Sequence, residues 1–122
     1  MEYARQTRDD IVGLLVAALD AAPTLVVITD GHVVLFANAH ARRLFKCENG
    51  SLMEGRSVLD IVHPDGHDAV RLRGEVLTRS SRCLRGLPVK LIALDGSAFN
   101  LVVDATPFDY EGKRVAMFTS GR

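Results

Sequence analysis

The last third of this sequence changes period, and that change limits what the chain can fold into. Leu87, Val89, Leu91 and Ala93 are apolar at every second position, and Asp95-Gly96-Ser97 follows as a turn. Phe99, Leu101, Val103 and Ala105 then alternate with Asn100, Val102, Asp104 and Thr106 before Glu111-Gly112 turns the chain into Val115–Thr119. A period of two sends successive side chains to opposite faces of a strand, and short turns join antiparallel neighbours. The pattern predicts a three-stranded meander with one apolar face, and the rest of the chain must cover that face.

The upstream sequence supplies the cover. Thr7-Arg8-Asp9-Asp10 carries a helix-start spacing, and Ile11, Leu14, Leu15, Ala18 and Leu19 follow at helical intervals, so an amphipathic helix is predicted to end near Ala22-Pro23. Val12 and Val16 broaden its apolar side, as expected of a helix that packs on its own domain and also on a partner. Two β-branched runs, Thr24–Thr29 and His32–Ala37, flank Asp30-Gly31 and predict a hairpin. Asn38 stands where a helix cap belongs, before Ala41, Leu44 and Phe45, and Glu48-Asn49-Gly50-Ser51 breaks that helix. Ser57-Val58-Leu59-Asp60 opens a short turn, and a longer helix is predicted from Pro64 to about Leu77, with Ala69, Val70, Leu72, Val76 and Leu77 as its apolar positions.

Bulk properties narrow the function. A chain of 122 residues is one domain by length. Lys plus Arg and Asp plus Glu number 15 each, which leaves no net charge to attract a phosphate backbone, so direct nucleic-acid binding is not expected. The basic run Arg79, Arg82 and Arg85 has no interleaved aromatic residue and reads as a solvated loop. No apolar run approaches the roughly 20 residues a membrane helix needs. Cys47 and Cys83 fit no metal spacing and follow no secretory signal, so they are expected to be reduced thiols of a cytoplasmic protein.

Several short motifs then occur in a fixed order: Ala21-Ala22-Pro23, Thr29-Asp30-Gly31, Phe36-Ala37-Asn38-Ala39-His40-Ala41, Leu44-Phe45, Glu54-Gly55-Arg56-Ser57, Asp60-Ile61-Val62-His63-Pro64-Asp65 and Asp95-Gly96-Ser97. In that order they resemble a PAS domain, the sensory module of bacterial kinases, cyclases and transcription regulators, over nearly everything from Leu19 to Phe118. The resemblance implies an α+β fold: a five-stranded antiparallel sheet with helices on one face, enclosing a small cavity. The N-terminal amphipathic helix is then residues 1–22 and the PAS domain residues 23–120.

The same resemblance makes His63-Pro64-Asp65 the joint between the short helix and the longer one. Pro64 suits a first helical turn because its missing N–H would have had no partner, and Asp65 and Asp68 favour the positive end of the helix. A metal site is not expected, since four ligands do not converge here. Haem-binding PAS sensors carry an axial histidine on this long helix followed by aspartate, which His67-Asp68 matches, but the distal arginine they place on the next strand is replaced by Leu87-Pro88-Val89. The reactive-cysteine motif of light-sensing flavin domains is replaced by Asp60-Ile61-Val62-His63-Pro64. Neither haem nor flavin is expected as a cofactor.

Alternation assigns Leu87, Val89, Leu91, Phe99, Leu101, Val103, Val115 and Met117 to the concave face, while the resemblance selects Val27, Leu35 and Ala37 in the first two strands. Met53, Leu59, Val62 and Val70, with Leu44 and Leu77, are expected on the opposite wall. The enclosed surface should be almost wholly apolar, with no ionisable group able to do chemistry, and should suit a small neutral ligand. Val102 and Phe118, with Ala98 and Ala116, are expected to form an apolar patch on the outer sheet face. Together with Ile11, Val12, Leu15, Val16 and Leu19 of the first helix, they predict a homodimer.

The expected function is a non-catalytic sensory and dimerisation domain working with a C-terminal kinase, cyclase or DNA-binding output domain absent from this chain. Three alternatives are a ligand-free interaction module, a haem-binding gas sensor using His67, and a small cone-shaped isomerase. The isomerase would need an acid or base deep in the cavity, whereas Asp104 falls on the outward parity.

Overall fold

The computed structural model describes the backbone of residues 2–47 and 52–120 and the side chains of residues 9–47 and 52–120. The polar break expected at 48–51 lies outside the described residues. Helix α1 (Glu2–Ala21) leads into strands β1 (Val26–Thr29) and β2 (Val34–Ala37), then α2 (Ala39–Leu44). Single 3-10 turns at Val58–Asp60 and Pro64–Gly66 precede α3 (His67–Arg79), and β3 (Leu84–Ile92), β4 (Ala98–Tyr110) and β5 (Lys113–Ser120) complete the chain. The strands form one antiparallel sheet in the order β2-β1-β5-β4-β3. The expected α+β architecture is the one observed.

Local chemistry explains most of the boundaries. Asn38 caps α2, its side chain accepting from Ala41 N–H, and Ser57 accepts from Leu59 N–H at the first 3-10 turn. His63 Nδ1 accepts from Asp65 N–H at 3.1 Å, and Pro64 occupies the first position of the second turn. Helix α1 starts earlier than predicted: Thr7 lies inside it, because Glu2, Ala4, Arg5 and Gln6 are good helix formers that carry the helix upstream. The β1–β2 connection is longer than a two-residue hairpin. Asp30 Oδ1 accepts from both His32 and Val33 N–H at 2.9 Å, an Asx turn that takes His32 and Val33 out of the expected second strand.

The segment linking the helices also seals the sheet. Val34 N–H donates to Arg56 C=O and Val58 N–H to His32 C=O along the β2 edge, while His63 N–H donates to Lys90 C=O and Ile92 N–H to Ile61 C=O along the β3 edge. Both edges therefore lose part of their free hydrogen-bonding row. The main core lies between sheet and helices, where Leu25, Val34, Ala37, Ala41, Phe45, Met53 and Ile61 are buried and Phe45 meets the Phe99 ring edge-on at 5.2 Å.

Two register features change the predicted faces. Glu111 and Gly112 both have positive φ, 49° and 76°, so the turn contains two residues and sets Tyr110 opposite Lys113. Odd-numbered residues of β4 thus pair with even-numbered residues of β5: Ala105 faces Phe118, and Met117 faces Thr106. Ala116 and Phe118 consequently point inward and Met117 takes the outer parity, the reverse of the expectation, because a one-residue slip exchanges the two faces of a strand, whereas Val115, opposite Phe108, is nonetheless buried and lines the cavity. In β2 the register shifts so that Val34 pairs with Thr29 and Phe36 with Ile28. Leu35 is left in the bulge, 44% exposed, instead of turning inward as expected.

Candidate ligand cavity

A cavity of about 140 Å³ lies between α3 and the concave face of β1, β3, β4 and β5. Of the thirteen residues expected around a ligand, Val27, Val62, Val70, Leu87, Val89 and Val103 line it. Ala37 and Met53 are buried in the adjoining core, and Phe99 and Leu101 pack against that core without reaching the cavity. Leu59 is half-buried in its 3-10 turn and also lies off the lining. Leu35 and Met117 are excluded by the two register features. Leu25, Thr29, Phe45, Ile61, Ala116 and Phe118 contribute to the wall instead.

Helix α3 presents Val70, Arg73, Gly74, Leu77 and Thr78 to the cavity. These positions follow the i, i+3, i+4, i+7, i+8 spacing of one helical face. Leu72 and Val76, read from the sequence as apolar positions of this helix, are 64% and 46% exposed. Val70 and Leu77, one heptad apart, could have identified the true face, but an arginine, a glycine and a threonine within it hide the stripe from a search for apolar residues.

The lining is predominantly apolar, as expected, but charged side chains also reach it. Asp30, Arg73 and Arg114 reach it, and Thr29 and Thr78 add hydroxyl groups. Arg114 is fully engaged: Nε donates to Leu77 C=O at 3.3 Å, Nη2 to Ser80 C=O at 2.7 Å and Ser81 Oγ at 3.2 Å, and Nη1 to Asp109 Oδ1 at 3.1 Å. A cation from β5 thus satisfies the last carbonyls of α3 where the helix dipole favours it. Thr78 Oγ1 donates back to Gly74 C=O at 2.7 Å, and Thr29 Oγ1 accepts from Gly31 N–H at 3.3 Å.

The Val33 N–H, followed by the His32 N–H, holds the Asp30 carboxyl below the ordinary value of 3.8. A depressed folded-state pKa adds stability that is present above the unfolded value and is lost as pH falls through the folded one. Wild-type protein should therefore lose stability relative to Asp30→Asn as the pH is lowered below 3.8. Chemical denaturation of both proteins between pH 6 and pH 3 checks this expectation (roughly the span over which carboxylates titrate); parallel curves would contradict it.

His67 has a structural task. It is half-buried, and its Nε2 lies 3.0 Å from Leu59 C=O and 2.9 Å from Val62 C=O. A protonated Nε2 between two carbonyl oxygens ties the start of α3 to the preceding turns and has no lone pair for iron, and His67 is not part of the cavity wall. These residues do not fit axial haem ligation. Among the described residues no group of three His, Cys, Asp or Glu side chains could hold a metal ion. Asp104 lies on the outer parity, as expected, and its Oδ1 accepts from Gly86 N–H at 2.9 Å, which fixes the β3 bulge. Cys47 is half-buried and Cys83 exposed.

Of the dimer candidates on α1, Ile11, Val12, Leu15 and Val16 are about half exposed and Leu19 is partly covered. Val102 is exposed on the outer sheet face, as are Phe108 and Tyr110 farther along the same strand, whereas Phe118 faces inward and leaves that patch.

The fold agrees with comparisons to known proteins. No curated protein matches this sequence. The chain is similar to the PAS domain of an HTR-like protein from Haloarcula marismortui, with 16% identity and a TM-score of 0.78 over 98% of both chains. It is also similar to a PAS domain from a two-component sensor histidine kinase, with 12% identity and a TM-score of 0.74 over 92% of this chain and 96% of that one. A third likeness is to the PAS domain of nitrogen regulation protein NR(II) from Vibrio parahaemolyticus, with 20% identity and a TM-score of 0.64 over 87% and 94% of the two chains. The model of the PAS fold matches residues 13–120, nearly the whole sequence, and the chain belongs to the PAS family.

Proposed function

We propose that this PAS domain is a non-catalytic sensor that takes a small, predominantly apolar molecule into the cavity and acts as a homodimer joined through α1. The cavity of about 140 Å³ carries the reading. At about 24 cal/mol per Å³, leaving such a hole empty costs on the order of 3 kcal/mol. A ligand that recovers part of this cost can bias a signalling equilibrium, for which coupling of about 1 to 3 kcal/mol is typical.

The wall chemistry favours a receptor over an enzyme. Asp30 is engaged with two backbone N–H groups and Arg114 with helix carbonyls and Asp109, so neither is poised for proton transfer at a bound molecule. We read the domain as cytoplasmic and as the input end of a longer signalling protein with a kinase, cyclase or DNA-binding output. The likeness to a sensor histidine kinase PAS domain supports the first of these outputs. No helix among the described residues is long and apolar enough to cross a membrane.

Gly74 provides the test. A Cβ built there meets nothing within 4 Å, and the residue faces the cavity from within a helix. Gly74→Ala should stabilise the fold by about 0.5 to 1 kcal/mol, since glycine is a poor helix former. Gly74→Leu should occupy the space, keep the fold and abolish saturable binding of benzene-sized probes in calorimetry. Unchanged probe affinity in Gly74→Leu would remove the cavity from the account.

A further inference from the structure

Arg73 is the ionisable group on the cavity wall whose interactions leave most of its hydrogen-bonding capacity free. It is half-buried, and its Nη1 donates to Pro88 C=O at 3.3 Å. Among the described residues it makes no ion pair. A guanidinium carries five N–H donors in a fork that matches a carboxylate. The Arg73 bond to Pro88 is solvent-exposed, so the guanidinium stands at the mouth of the chamber, where an anionic group arriving beside it gains charge-assisted bonds.

Space is available beside it. Gly74, the next residue, presents no Cβ to the cavity and has room for one, although glycine weakens a helix interior. The surrounding wall is the apolar surface of Val62, Val70, Val89 and Val103. An apolar chamber bounded by one unpaired guanidinium calls for an amphiphile with a single charge.

We infer that the ligand is a small monocarboxylate whose apolar body fills the chamber and whose carboxylate pairs with Arg73, an inference that rests on the sensory reading above. A cavity of about 150 Å³ accommodates a benzene ring, so the body contains about six carbons, as in benzoate or hexanoate. The charge is single because Asp30 lies on the same wall and would repel a second carboxylate.

Calorimetric titration with benzoate and hexanoate, set against benzyl alcohol and hexan-1-ol, tests the inference in wild-type protein and in Arg73→Met and Arg73→Lys. Arg73→Met keeps the apolar stem, and circular dichroism verifies its fold. Wild-type protein should prefer each carboxylate over its alcohol by at least about tenfold, and added salt should reduce that preference. Arg73→Met should abolish the preference while leaving alcohol affinity unchanged, and Arg73→Lys should retain part of it. Alcohol binding equal to or tighter than carboxylate binding in wild-type protein would overturn the carboxylate assignment and leave the sensory reading standing. A preference that survives Arg73→Met would overturn the role of Arg73. Binding of none of the four probes would overturn both readings.

Discussion

Asn38→Ala is expected to destabilise the domain by about 3 to 5 kcal/mol, lowering the melting temperature by on the order of 10 to 20 °C. Asn38 is completely buried and satisfies four backbone groups. Its Oδ1 accepts from Val26 N–H and Ala41 N–H, both at 3.0 Å, and its Nδ2 donates to Leu19 C=O at 2.8 Å and Thr24 C=O at 2.9 Å. One side chain therefore caps α2, extends the hydrogen bonding of β1 and holds the end of α1. Alanine removes all four partners at once, and each buried polar group left unpaired costs about 1 to 3 kcal/mol, less where water can reach it. Asn38→Asp keeps the acceptor but sets a carboxylate against two carbonyl oxygens, so it should also be destabilising. Thermal denaturation followed by circular dichroism checks both variants; a loss below about 1 kcal/mol for alanine would show that the network is not cooperative.

Replacing Val12 and Leu15 together with glutamate should weaken the homodimer at least about 100-fold, equivalent to roughly 2.7 kcal/mol. Val12 and Leu15 are 54% and 57% exposed, and Ile11, Leu14 and Val16 lie beside them at 49% to 67%. Among the described residues, the end of α1 is secured to the domain through the Asn38 bond to Leu19 and the Arg42–Asp20 ion pair at 3.1 Å. Apolar positions spaced 12, 15, 16 and 19 follow the three-and-four interval of a coiled-coil seam, which a second copy of the helix would bury. Glutamate preserves helix propensity while placing charge in that seam. Sedimentation equilibrium should show monomers for the double variant with the domain's melting temperature unchanged. An undiminished dimer would transfer the interface to the outer face of β4, where Val102, Phe108 and Tyr110 are exposed.

The elements were legible where one residue type enforces one geometry. Asn38, Ser57 and Pro64 marked helix starts because a short acceptor side chain, or a missing N–H, has a use at a helix end that it lacks elsewhere. The alternation of β3 and β4 placed Val89, Leu101 and Val103 on the sheltered face because polar partners occupy the other parity. Strand β5 gave no such contrast: Val115 and Met117 are as apolar as Ala116 and Phe118, so its facing depends on the two-residue turn at Glu111-Gly112 and not on its own composition. The sequence of β2 likewise gives no sign of the bulge at Leu35, which arises from pairing with β1. The charged part of the cavity wall was hidden for a related reason. Arg73 and Arg114 carry long apolar stems that can line a chamber while the guanidinium remains at its edge.

The central claim is that the space between α3 and the sheet receives a molecule. A methyl-detected NMR titration of wild-type protein with benzoate and benzyl alcohol tests it most directly. The account predicts saturable shifts concentrated on the methyl groups of Val27, Val62, Val70, Leu87, Val89 and Val103, with those of exposed Leu35 and Leu72 unmoved. Shifts that fail to saturate, or that appear on Leu35 and Leu72 and spare the cavity wall, would contradict it and identify the domain as a solid-cored interaction module.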